Sequence, residues 1–99
     1  MKPPLITTKA QFAEVLQKAL AQAREFAKAV PDDPFQKSIL AQLEFMAGNL
    51  ARGSTPTYED RQKINMGVIA MRTLEDSSPD YARLLSELDY AFNRWESLS

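Results

Sequence analysis

From about Thr8 onward the apolar residues of the chain recur at helical spacing, and nowhere does an alternating pattern last long enough to define a strand. Phe12, Leu16, Ala19, Ala23, Phe26 and Val30 follow one another at steps of four and three, the stripe of an amphipathic helix of heptad type. Thr8 with Gln11 three residues later forms a capping box, and Pro31 ends the pattern because proline has no N–H to donate, so a first helix is predicted over about 9–29. Asp33 as N-cap and Pro34 at the first helical position open a second helix, about 34–52. Phe35, Ile39, Leu43, Met46 and Leu50 form its face, and Gly53 is a left-handed terminator.

A third helix, about 58–74, follows the turn Ser54-Thr55-Pro56-Thr57, with Glu59 and Asp60 suited to the positive end of its dipole. Its apolar residues do not make one stripe: Ile64, Val68 and Met71 define one face, whereas Met66 and Ile69 lie well away from it. A helix that is apolar on several sides is central, or is covered by a partner. The fourth, about 79–97, takes Ser78 as its cap and Pro79 as its first residue. Tyr81, Leu84, Leu85, Leu88, Ala91, Phe92, Trp95 and Leu98 give it a broad apolar face. The pattern therefore predicts an all-α fold, a compact antiparallel bundle of about four helices in one domain spanning 1–99, with residues 1–7 extended or loosely ordered.

Composition narrows the chemistry. Twelve Lys and Arg against 13 Asp and Glu leave a net charge of -1, without the basic excess that nucleic-acid binding requires. Cysteine and histidine are both absent, which removes thiolate chemistry, the commonest general base, the commonest zinc ligand and every Ser–His or Cys–His pair. The three glycines are isolated, so there is no phosphate-cradling loop. Glu59-Asp60 and Glu75-Asp76 are adjacent pairs, and neighbours on a helix diverge by about 100°, so neither pair converges on one ligand. No cofactor, no metal and no enzymatic activity are expected. No apolar run approaches the roughly 20 residues that span a bilayer, and the first residues lack the apolar segment of a signal peptide, so a cytoplasmic protein without membrane contact is the expectation.

Several residues do not fit as ordinary surface. Phe45 lies roughly 150° from the centre of its helix's apolar face and Tyr90 about 160° from that of the fourth helix, and Tyr58 is similarly displaced on the third. Aromatics in such positions are candidate interface anchors. Met46, Met66 and Met71 read as core. The segment 75–80 places Glu75, Asp76 and Asp80 within six residues, a local negative feature able to steer a basic partner.

From about Ile39 to Phe92 the chain resembles the small helical immunity proteins of type VI secretion systems. The resemblance is carried by Gln42-Leu43-Glu44-Phe45-Met46, by Ile64-Asn65-Met66-Gly67-Val68-Ile69-Ala70, by Leu74-Glu75-Asp76 through Asp80 into Ala82-Arg83-Leu84-Leu85, and by Leu88-Asp89-Tyr90-Ala91-Phe92. It implies a non-enzymatic inhibitor that binds and occludes the toxic domain of an effector delivered between bacteria; similarity to members that neutralise an NAD(P)-degrading effector implies an NAD(P) glycohydrolase as the partner. On that footing the candidate toxin contacts are Glu75, Asp76, Asp80, Glu87 and Tyr90, with Phe45 and Tyr58 as apolar candidates. The alternative is a helical adaptor, secretion chaperone or self-associating scaffold, with a homodimer seam on the second apolar side of the third helix.

Overall fold

The computed structural model describes residues 4–99. The chain runs through α1 (Lys9–Ala29), α2 (Pro34–Ala51), a single-turn α3 (Tyr58–Gln62), α4 (Met66–Thr73), α5 (Pro79–Asn93) and a closing 3-10 turn, Trp95–Ser97. The four longer helices pack as a ring, α1 against α2 and α5, and α4 against α2 and α5.

The first two helices begin where their caps dictate. Thr8 Oγ1 accepts from the Gln11 N–H at 3.1 Å while Gln11 Oε1 accepts from the Thr8 N–H, also at 3.1 Å. Asp33 Oδ1 accepts from the Phe35 N–H at 2.9 Å, and Gly53 leaves α2 with φ +66°. Phe12, Leu16, Ala19 and Ala23 are buried as the α1 stripe requires, joined by Val15 and Leu20, whereas Val30 at its end is exposed. On α2, Ile39, Leu43 and Met46 are buried, but Phe35 is half exposed and its place inside is taken by Gln36.

The predicted helix over 58–74 is broken. Residues 63–65 belong to neither helix: the Lys63 and Ile64 amides bond back three residues, to Asp60 and Arg61, and Asn65 sits at φ -141°. The reason is geometric. Ile64 and Met66 are both buried, yet two residues apart on an unbroken helix they would point about 200° apart. The break turns both inward, and Met66, Ala70 and Leu74 then form the buried edge of α4. Val68 and Met71, expected to share a core face with Ile64, are instead more than half exposed.

Two further expectations are corrected at α5. Ser78 occupies the N-cap position, but its side chain makes no capping bond. The helix also stops at Asn93 rather than 97, and the 3-10 turn swings Trp95 edge-on to Phe12, ring centroids 5.1 Å apart. Phe12 also stacks on Phe92 at 6.4 Å, so one aromatic cluster joins the two ends of the chain. Backbone bonds close that junction: Lys9 N–H to the Ser99 carbonyl at 3.0 Å and Ser99 N–H to the Thr7 carbonyl at 3.2 Å. Of the N-terminal segment expected to be extended or loose, 1–3 lie outside the described residues. Residues 4–7 have no regular structure but are fastened, with Ile6 buried and the Leu5 N–H donating to Glu87 Oε1 at 3.1 Å.

Arg61 is the other tie across the fold. It donates to the Pro56 and Asn93 carbonyls, both at 3.1 Å, and pairs with Glu96, whose carboxyl it holds below the usual range. Tyr81 stacks on Phe26 at 5.0 Å. Its buried hydroxyl finds no partner among the described residues, and burial pushes its pKa up to about 12. A buried orphan hydroxyl opposes folding, so Tyr81→Phe should leave thermal stability unchanged or raise it by up to about 1 kcal/mol. A melting experiment showing a comparable loss instead would mean that the hydroxyl has a partner in solution.

Candidate functional site

The site is built on α4, whose start is capped entirely by other helices. Asn65 is its N-cap residue but makes no side-chain capping bond. Gln42, buried on α2, does so in its place: Oε1 accepts from the Asn65 N–H at 2.8 Å and the Met66 N–H at 2.9 Å. Its Nε2 donates to Asn65 Oδ1 at 2.7 Å and to Ser38 Oγ at 3.1 Å, which fixes the amide's orientation. The next amide, of Gly67, donates to Asp89 Oδ2 on α5 at 2.8 Å. A Cβ at position 67 would lie 2.8 Å from that same oxygen and 3.1 Å from Asp89 Cβ, so glycine is what permits the close approach of α4 to α5. Asn93 completes the arrangement, donating to Asp89 Oδ1 at 3.0 Å.

Burial raises the Asp89 pKa, and the bonds from the Gly67 N–H and Asn93 offset this in part. The carboxylate is thus a structural cap whose oxygens are already engaged.

With Met66 and Ala70 turned inward, α4 presents Val68 and Met71 to solvent, and α5 presents Tyr90 beside them. These three line an open groove of about 590 Å³ between α4 and α5, together with Gly67, Arg72, Ser86, Asp89 and Asn93. Ser86, Tyr90 and Asn93 stand at i, i+4 and i+7, so the α5 wall is one helical ridge. The Arg94 guanidinium lies over the Tyr90 ring, 4.8 Å from its centroid, and donates to the Tyr90 hydroxyl. The groove therefore offers apolar surface with fixed polar groups at its margins. Among the described residues no cluster of three or more acidic side chains could hold a metal ion, and no helix is long and apolar enough to cross a membrane.

The structure brings together only part of the set chosen from the sequence. Tyr90 forms a wall of the groove. Glu75, Asp76 and Asp80 are exposed on and just beyond the connection between α4 and α5. Glu87 is half-buried, and its carboxylate accepts the Leu5 amide. Phe45 is half-buried, edge-on to Phe92 at 6.5 Å, with the Lys63 ammonium 5.0 Å from its ring centroid. It lines a separate depression of about 370 Å³. Tyr58 stands largely exposed on α3 and does not line the α4–α5 groove.

Sequence reasoning missed Val68, Met71 and Arg72 as groove residues, and Gln42, Gly67 and Asp89 as its supports. The signal available was the two-sided apolar pattern between Ile64 and Met71, which marks a break as well as it marks a central helix. Met71, read as core, is the clearest correction: it is half exposed.

Two outcomes check the support. Gln42→Leu strands the buried Met66 amide and should cost about 1–3 kcal/mol in urea unfolding, while Gln42→Glu, which keeps an acceptor, should cost less. Equal losses for the two would show that the acceptor is not what matters. Asp89 has a pKa higher in the native chain than in the unfolded one, so the native chain retains its proton to higher pH. Its contribution to stability therefore falls as pH rises from the ordinary carboxylate range through its native value. The stability of the natural chain relative to Asp89→Asn should improve as pH falls through that window, and a slope of opposite sign would mean that the two hydrogen bonds outweigh burial.

A family model described as Tsi6 matches residues 11–94. No curated protein and no solved structure matches the chain.

Proposed function

The chain belongs to the Tsi6 family of type VI secretion immunity proteins, and from that premise we propose that it neutralises its effector by covering the toxic domain with the α4–α5 face. The observation that carries this reading is the exposure of Val68, Met71 and Tyr90 side by side on a face where a folded chain has no reason of its own to leave them. Immunity requires a very small free-toxin fraction, so affinity of about -12 kcal/mol or beyond is needed, through an interface of about 800 Å² on each side. The groove supplies the apolar centre of such an interface.

The effector, in this reading, is an NAD(P) glycohydrolase. Its substrate carries phosphates, so its active site presents basic groups, and the exposed Glu75, Asp76 and Asp80, on and just beyond the α4–α5 connection, would meet them. Tyr58 and Phe45 would extend the contact beyond the groove; Glu87, already holding Leu5, would contribute through the segment it positions. The inhibitor works by steric occlusion, with no catalytic group of its own and no cofactor. The same exposed strip also suits a self-associating scaffold, with a second copy of the chain on α4.

Co-expression of the chain with the toxic domain of its cognate effector tests the reading, with survival and cellular NAD(P) as readouts. Survival with NAD(P) preserved, against death and depletion without the chain, is expected. Death of cells that express the folded chain would sink the immunity assignment for this pair; toxicity without NAD(P) loss would sink the glycohydrolase assignment and leave immunity standing. Met71→Glu should abolish protection while changing stability by no more than roughly 0.5 kcal/mol, the usual range for an exposed position. Sedimentation of the free chain separates the scaffold reading, which requires a dimer.

A further inference from the structure

We propose that the effector segment seated on the α4–α5 groove carries a carboxylate beside its apolar anchor, and that Arg94 receives it. This rests on the reading of the groove as the effector-binding face and names the chemistry of what binds there.

The argument starts from how the two arginines at the end of α5 differ. Arg61, packed against that end, has both terminal nitrogens engaged, by Glu96 and by the Pro56 and Asn93 carbonyls, while its buried Nε finds no partner among the described residues. Glu96 is two residues from Arg94, but it is taken by Arg61. Arg94 is exposed and has no carboxylate partner among the described residues, yet it is not loose: it lies over the Tyr90 ring and donates one N–H to the Tyr90 hydroxyl. A guanidinium has five N–H donors in a planar fork, and most of this one's remain unused. Stacking fixes the plane of the fork in advance, so less side-chain entropy is lost when a carboxylate binds across it.

Tyr90 itself is a wall of the groove; Arg94 does not line it but shares with Tyr90 a neighbouring depression of about 170 Å³ that Ile6 and Thr7 also line, so the fork meets a segment seated in the groove across the Tyr90 ring. Arg72, which also lines the groove, likewise has no ion-pair partner among the described residues. The charge the groove shows outward is therefore positive, because its one carboxylate, Asp89, is turned to Gly67 and Asn93. An apolar side chain flanked by Asp or Glu complements this surface; one flanked by Lys or Arg would place like charges together as the interface dries.

Biolayer interferometry of the full chain against the effector's toxic domain tests the proposal. Arg94→Glu should weaken binding roughly tenfold or more, with thermal stability and circular dichroism retained. Arg94→Gln provides the same test without charge reversal at a helix end, should the Glu variant unfold, and should weaken binding by a smaller factor. An acid-to-arginine change at the matching effector position should restore binding to Arg94→Glu. Binding of Arg94→Glu and Arg94→Gln within about twofold of the natural chain overturns the carboxylate contact while leaving the immunity reading intact. Absence of binding by the natural chain overturns both. A dimer of the free chain that Tyr90→Glu dissociates would put a second copy on the groove and overturn the proposal in favour of self-association.

Discussion

The face proposed for the effector depends on the capping of one short helix by its neighbours. α4 has eight residues, fewer than an isolated helix needs to persist in water, and its own N-cap residue offers no side-chain bond. Gln42 from α2 and Asp89 from α5 satisfy between them the amide of its N-cap residue and its own first two amides. Each of these bonds is also a tertiary restraint, so the same atoms that permit α4 to be helical fix its position and rotation relative to α2 and α5. Gly67 belongs to this constraint, because a side chain there would push α4 off Asp89 and open the contact.

The rotation of α4 decides which residues face outward. With the helix anchored, Met66 and Ala70 face the core, and Val68 and Met71 have nowhere to go but outward. Tyr90 meets them from α5, held in place by Arg94. An inhibitor that acts by occlusion needs a surface that is already in its binding conformation, because ordering it on contact would subtract from affinity. The proposed face, a helix capped by its neighbours beside a stacked aromatic on α5, would meet that need.

The rest of the molecule keeps this face rigid from behind. The Phe12–Phe92–Trp95 cluster joins the first and last elements, and backbone bonds between residues 7–9 and Ser99 close the same seam. Glu87 ties Leu5 to α5, and Arg61 ties the connection before α3 to the end of α5. α5 thus receives restraints along its length from both ends of the chain. The half-buried Asp89 carboxylate is the exception that opposes stability at neutral pH, and it is retained at the point where α4 needs an acceptor.

By itself the sequence determined the all-α class, the starts of the first two helices and most of the buried stripe on α1 and α5. Those depend on local chemistry: Thr8 with Gln11, Asp33 before Pro34, and apolar residues repeating at helical period. It also marked Tyr90 as facing away from the core, since a face on a long regular helix is set by angle alone. Only the tertiary structure decided that the pattern over 58–74 is two helices, that Met71 is outside, and that Glu87 holds the N-terminal segment. The residues responsible, Gln42 and Asp89, lie more than twenty positions from the amides they cap, in opposite directions along the chain. A periodicity read along one segment carries no information about an acceptor supplied from another, and here that acceptor decides where the helix begins and which of its faces is left for a partner.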